Sequence, residues 1–393
     1  MSSPKDTMGF WDQLYFKPMK IVSCWAGQWP YQSPIERTII RTALASAVGS
    51  QIISQIAAVA EHSNDLDFFM ELVPPFVVEV TCFTKMINCF FFLGKIKILL
   101  EQLQENWKLF PTGRENELLR EHSLLGFQMS MLFLGTLYTS GFVFGTQPFQ
   151  AMILHFVFKS NGSMPRQFLF PANWGPIDSD KYYFPLVILS AMSIYCVVTM
   201  LVAIDCVFYT CCGHACGLFT ALGYSIENFN FNDDLMSGDT GFAFLRRCIQ
   251  IHNRVLEFTN IIEDVLTFNF LIMLGSVTMA MSLTAVQMVI NFNAVVKLLK
   301  NLAFAVTQIT QLAIKCWIAQ RVMDKSLNVK FSLINSKWYL APPKTQKLIG
   351  LMIMRSEIPC QITAGKVIVM CLETFSSIVR LSASYFTMFL ALR

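Results

Sequence analysis

Seven separate stretches of this chain are apolar over about the 20 residues a helix needs to cross a bilayer. No other feature limits the fold as much. The stretches run from about Thr38 to Ala60, Phe68 to Leu93, Leu124 to Gln147, Tyr183 to Tyr209, Val265 to Ile290, Leu299 to Ile318 and Ile362 to Leu392. Lipid offers no partner to backbone N–H and C=O groups, so each stretch must close its hydrogen bonds internally as a helix. An all-α membrane protein of seven transmembrane helices is predicted. Composition agrees: 54% of the 393 residues are hydrophobic and only 14% are charged, against about 25% charged in a soluble chain. Pro74-Pro75 falls inside the second stretch and predicts a kink there.

Basic residues set the expected orientation. Twenty-two lysines and arginines lie before the first span, in the segments after spans two, four and six, or in the span ends that adjoin them, against six on the other side. The positive-inside rule puts the first side in the cytoplasm. The N-terminus is then cytoplasmic and, after seven spans, the C-terminus extracellular. The one glycosylation sequon, at Asn161, falls in the loop after span three, which this topology makes extracellular. The N-terminal residues contain no cleavable signal pattern. The orientation is opposite to that of G-protein-coupled receptors. No Asp/Glu-Arg-Tyr triplet follows span three, and no Asn-Pro-x-x-Tyr lies in span seven.

Several function classes find no support. The five histidines are scattered, no phosphate-cradling Gly loop is visible, and there is no Gly-x-Ser-x-Gly. Neither an enzyme nor a cofactor is expected. The net charge of +4 is small and gives no reason to expect a nucleic-acid partner. The twelve cysteines lie mostly in apolar or cytoplasmic segments, which argues against a disulfide framework. Cys211-Cys212-Gly213-His214-Ala215-Cys216 superficially suggests a metal site but has no second Cys/His pair. Buried packing and juxtamembrane acylation are its other readings.

Span seven carries a polar stripe. At 100° per residue, Glu373, Ser377, Arg380, Ser384 and Thr387 share one face, joined by Ala391, while Phe375, Val379, Phe386, Phe389 and Leu390 share the other. Such a stripe lines a water-filled path or packs against another helix. Glu79, Lys85 and Asp205 are further charges inside spans. Glu79 and Lys85 point about 120° apart and are not expected to pair.

The end of the chain is the most specific. It reads Ser336-Lys337-Trp338-Tyr339, Met352-Ile353-Met354-Arg355-Ser356, Pro359-Cys360, Thr363-Ala364-Gly365-Lys366, Leu372-Glu373-Thr374-Phe375 and Ser382-Ala383-Ser384-Tyr385-Phe386-Thr387. This succession resembles the C-terminal region of insect odorant receptors. Trp29-Pro30-Tyr31 and the run from Leu283 to Asn293 resemble hymenopteran members most. The resemblance implies an odorant-gated, non-selective cation channel of the plasma membrane in olfactory neuron dendrites. It implies a tetramer in which a tuning subunit combines with a shared co-receptor. The ending Ala391-Leu392-Arg393 lacks the co-receptor's Val-Gln-Leu-Lys and favours a tuning subunit. A gustatory-type channel and, further off, a metabotropic receptor or a transporter are the alternatives.

The resemblance also divides the chain. Residues 1–320 would hold six spans and an outer pocket for a volatile ligand. Residues 321–366 would form cytoplasmic helices for subunit contacts, with Leu348, Ile349, Met352 and Ile353 as their apolar positions. Residues 367–393 would form the pore helix. Pore positions are expected at Ser377, Ser384, Thr387 and Ala391, with a hydrophobic gate at Met388 and Leu392. An apolar volatile needs a largely dry, aromatic cavity. The outer halves of spans two, three, four and six offer Phe69, Val73, Phe76, Tyr138, Phe142, Ile188, Met192, Val306 and Thr307 for it.

Overall fold

The computed structural model describes residues 9–61, 65–157, 168–175, 177–231 and 240–391. Asn161 and Leu392 lie outside these residues. The helices are α1 (Lys17–Trp25), α2 (Pro34–Glu61), α3 (Leu66–Trp107), α4 (Arg114–Gly145), α5 (Gln147–Val157), α6 (Tyr183–Glu227), α7 (Thr240–Ile290), α8 (Val295–Asn335) and α9 (Pro343–Ser356). A two-stranded hairpin, β1 (Thr363–Ala364) and β2 (Ile368–Val369), precedes the last helix, α10 (Leu372–Ala391). Helices α2, α3, α4, α6, α7 and α8 are long and apolar enough to cross a membrane. Helix α10, with its polar stripe, is less apolar and completes the expected seven.

Four of these helices far outrun a bilayer. Helix α7 has 51 residues, about 75 Å at about 1.5 Å per residue, over twice the roughly 30 Å of hydrocarbon. Helices α3, α6 and α8 have 42, 45 and 41 residues. The polar segments after spans two and six therefore begin as continuations of the spans. Their local sequence permits this: from Lys95 to Trp107 there is no glycine or proline, and Leu, Lys, Glu and Gln favour helix. Helix α3 also runs unbroken through Pro74 and Pro75, as membrane helices tolerate. Part of the expected loop after span three is helical, as α5.

The polar extensions meet at one end of the bundle. Arg254 pairs with Glu105, Lys95 with Asp264 at 3.4 Å, and Ser225 donates to Glu115 at 3.1 Å. The N-terminal segment sits at the same end. Phe16 and Trp107 rings lie 5.5 Å apart, and Trp107 stacks on His214 at 5.8 Å. At the opposite end, Asn173 donates to Glu61 at 2.7 Å and Lys300 faces Glu71 at 3.7 Å.

Helix α6 is the central post. Every residue from Met200 to Phe219 is buried. Its crossing with α4 is close because Gly213 meets Gly126: a Cβ on Gly213 would stand 2.8 Å from the His122 carbonyl oxygen and 3.0 Å from the Gly126 Cα. Small residues are what allow membrane helices this approach. Cys211, Cys212 and Cys216 are fully buried here, which leaves them inaccessible to acylation. Among the described residues no group of His, Cys, Asp and Glu could hold a metal.

The charges inside the spans resolve into partners. Asp205 Oδ2 accepts from Lys85 Nζ at 2.7 Å and from Lys315 Nζ at 2.8 Å, all three buried. Lys315 is thus a bundle residue, not one of the cytoplasmic basic residues with which the sequence grouped it. Glu79 does not pair with Lys85; its Oε1 accepts from Gln55 Nε2 at 3.0 Å.

Span seven begins later than its apolar run suggests. Ile362 to Val369 forms the hairpin, whose turn residues Gly365 and Lys366 have φ of 64° and 60°. This left-handed pair belongs to a tight turn and stops a helix. The turn docks on α7: the Gly365 N–H donates to the Thr267 carbonyl at 2.9 Å, and Lys366 Nζ reaches Asp264 at 2.9 Å. A Cβ on Gly365 would stand 2.8 Å from Leu271 Cδ2.

Candidate functional site

Between α3, α4, α6 and α8 lies a cavity of about 640 Å³, its open mouth included. These are the four helices from which the sequence drew a pocket, but mostly other faces of them. Of the nine residues named for it, Thr307 lines the cavity. Phe69, Phe142, Ile188, Met192 and Val306 are exposed on the outside of the bundle. Val73 packs with Met70, Leu283 and Val286. Tyr138 is half-buried, 2.9 Å from Thr199 Oγ1, and Phe76 is half-buried outside the lining.

The physical reason is that lipid is as apolar as a protein core, so apolar residues do not reveal which side of a membrane helix faces inward. Polar residues do, because they avoid lipid. Glu79, Ser140, Gln308 and Gln311 all line the cavity and are buried. That was the signal available in the sequence, and only Glu79 had been singled out. The rest of the wall is apolar and aromatic, with Phe144, Phe170 and Phe304 among its rings. Phe144 and Phe170 centroids are 5.1 Å apart. An apolar cavity with a few fixed polar groups suits a small organic ligand.

Below the cavity the polar column continues. Gln311 and Lys315 are one turn apart on α8, and Leu201, a cavity residue, accepts from Lys85 Nζ at 3.4 Å through its carbonyl. The Lys85–Asp205–Lys315 cluster therefore closes the floor.

Helix α10 is packed on one side only. Phe386 and Phe389 pack on the cluster of Met70, Val73, Leu283 and Val286. Phe375 and Ile378 pack on the main core. Ser282 Oγ donates to the Ser382 carbonyl at 3.0 Å. The other face is open: Glu373, Ser377, Arg380, Ser384, Thr387, Met388 and Ala391 are exposed. The hydroxyls there bond within the helix, Thr387 Oγ1 to the Ser384 carbonyl at 2.8 Å and Ser384 Oγ to the Arg380 carbonyl at 3.2 Å. Arg380 reaches Ser377 at 3.3 Å rather than Glu373. Leu390, placed on the packed face from the sequence, is exposed.

The segment before the hairpin divides the same way. Ile349 and Met352 are buried in their own subunit and Leu348 and Ile353 half-buried against it. The free apolar side of α9 and its surroundings is instead Leu351, Met354, Ile358 and Val367. Cys360 is fixed nearby, its N–H donating to Ser326 Oγ at 2.9 Å, and burial pushes its thiol pKa up.

The family model for the 7tm odorant receptors matches residues 65–383. Among curated proteins, the chain is 26% identical over 153 residues to odorant receptor Or2 of Anopheles gambiae, covering 39% of this chain and 40% of that one. It is 25% identical over 209 residues to odorant receptor 63a of Drosophila melanogaster, covering 52% and 49%. The aligned stretches thus span between two-fifths and one half of the length of these relatives. Among solved structures, the insect olfactory receptor OR5 of Machilis hrabei in complex with eugenol superposes with a TM-score of 0.78 at 15% identity, covering 96% of this chain and 97% of that one. A second structure of the same receptor gives a TM-score of 0.71 at 14% identity, covering 96% of this chain and 98% of that one.

Proposed function

The chain belongs to the 7tm odorant receptor family, and on that premise we propose that it is the tuning subunit of an odorant-gated, non-selective cation channel. A volatile ligand binds in the cavity among α3, α4, α6 and α8. It opens the channel by its differential affinity for the two states. The subunit assembles with a shared co-receptor in a tetramer, and α10 from each subunit lines the central path. Ser377, Ser384, Thr387 and Ala391 face that path, with Met388 and Leu392 at a hydrophobic constriction that closes by excluding water. The N-terminus is cytoplasmic, the C-terminus and Asn161 extracellular, and the site of action is the plasma membrane of the olfactory neuron dendrite.

One observation carries the reading: among the described residues, the polar face of α10 is exposed rather than packed. Exposed to lipid, Glu373 and Arg380 would each be costly. Turned toward a shared axis, they are solvated. The hairpin that precedes α10 is tied to α7 through Thr267 and Asp264, which gives a movement of the bundle a short route to the pore helix. Voltage-clamp recording of the chain with and without the co-receptor, over a panel of volatiles, tests the proposal. Ligand-evoked cation current that needs this chain is expected. A response that survives only through a G-protein pathway contradicts it.

A further inference from the structure

The cavity contains an acid without a base. Glu79 lines its wall and is 4% exposed. Oε1 accepts from Gln55 Nε2 at 3.0 Å, and Oε2 has no hydrogen-bond partner among the described residues. The bond from Gln55 fixes that amide's orientation, and its own oxygen is left without a donor as well. Two buried acceptors thus lack donors side by side. Nearby cations do not supply them. Lys85 and Lys315 are both committed to Asp205 at 2.7 and 2.8 Å. Lys300 faces Glu71 at 3.7 Å.

As a carboxylate, buried Glu79 lacks a counter-charge, which is costly. A cationic group in the cavity would supply one. The cavity's other walls specify the rest of that group's chemistry. The rings of Phe144, Phe170 and Phe304 line the same space, and aromatic faces attract cations. Val78, Val198 and Leu201 add apolar wall, and Ser140, Thr307, Gln308 and Gln311 add uncharged polar groups.

We propose that this is an amine site, in which Glu79 binds the ammonium group of a small primary or secondary amine whose apolar body lies among the three phenylalanine rings. The proposal rests on the reading of the cavity as the ligand pocket and adds the ligand's chemical class. An amine supplies both the charge and the N–H donors that Glu79 lacks. A hydrocarbon of the same shape fills the cavity and leaves Glu79 as it is. An alcohol supplies one donor and no charge.

The test uses three probes of one skeleton, 2-phenylethylamine, 2-phenylethanol and ethylbenzene, on the full chain expressed with its co-receptor. The amine is expected to act at roughly tenfold to hundredfold lower concentration than the other two, the range of a charge-assisted hydrogen bond. Glu79→Gln should erase that advantage, so that the amine is no more potent than ethylbenzene on the same variant, while Glu79→Asp keeps part of it. Equal potency of the three probes, or an amine advantage that persists in Glu79→Gln, overturns the proposal. So does 2-phenylethanol as the strongest probe, which would make Glu79 a neutral hydrogen-bond site. If Glu79→Gln fails to reach the surface, Phe304→Leu reads the same site and should cut the amine advantage several-fold through the lost ring; an unchanged advantage counts against the proposal. Radiolabelled 2-phenylethylamine binding to the purified complex separates the two claims. Saturable binding without any evoked current sinks the channel reading and leaves the amine site standing. Evoked currents without saturable amine binding sink the amine site alone.

Discussion

Helices α6 and α10 both belong to the membrane bundle, and the chain treats them in opposite ways. Along α6 every residue from Met200 to Phe219 is buried, polar and charged ones included. Along α10 only Ser382 is buried among the described residues, and one whole face is open. Helix α6 is enclosed by its own chain, and its one charged residue in that stretch, Asp205, lies between two lysines. Helix α10 is enclosed on one side, so its polar residues need partners from elsewhere: water or another subunit.

The difference predicts how each helix answers to change. The largest effect is expected where α6 is closest to α4. Gly213→Leu places side-chain atoms where a Cβ alone already meets the His122 carbonyl at 2.8 Å. Surface expression and a monodisperse peak on size exclusion should both be lost. A change of similar size on the open face of α10, Ser384→Leu, should leave expression intact. Equal loss from both would erase the contrast.

Next in size is the charge cluster. Asp205→Ala leaves Lys85 and Lys315 buried without a counter-ion. Removing one member of a buried pair typically costs roughly 3–5 kcal/mol. A large fall in the thermal midpoint of the purified complex is expected. The triple change Asp205→Ala, Lys85→Met and Lys315→Met should recover most of it, because an all-apolar cluster has no charge to solvate. Recovery restricted to the single mutant's level would show that the cluster contributes something other than compensated charge.

A smaller effect separates packing from assembly. Leu351→Asp with Met354→Asp alters the free side of α9, and should weaken co-assembly in cross-linking while each subunit still folds. Leu348→Asp with Met352→Asp alters the inward side, where Met352 is 3% exposed, and should lower folding yield first. The reverse pattern would move the subunit contact to the other side of the helix.

How much of this could be read in the sequence depends on what lipid hides. The spans were legible because about 20 apolar residues in a row have one solution in a bilayer. The stripe on α10 was legible because polar residues at helical spacing stand out in an apolar span: Phe375, Phe386 and Phe389 are indeed packed, and Ser377, Ser384 and Thr387 open. The cavity wall was much less so. Phe142 and Phe144 are two residues apart and equally apolar, yet one faces outward and the other inward. Only polar residues such as Gln308 and Gln311 break that degeneracy. The length of the helices was hidden for the opposite reason. Polarity ends a membrane span but does not end a helix, and α3 and α7 continue well past where apolarity stops.

Cysteine accessibility measures directly whether the open face of α10 lines a conduction path. Single cysteines at Ser377, Ser384 and Thr387, and separately at Phe375, Phe386 and Phe389, are introduced into the chain expressed with its co-receptor. The background carries Cys371→Ser, since Cys371 is half-exposed at the base of the helix; half-buried Cys360, whose thiol pKa burial pushes up, contributes little thiolate. A small charged thiol reagent should modify the first three, faster while ligand is present, and block current. The phenylalanine positions should stay unmodified. Reaction at all six positions alike, or at none of the first three, would mean that α10 packs against protein or lipid on every side and lines no pore.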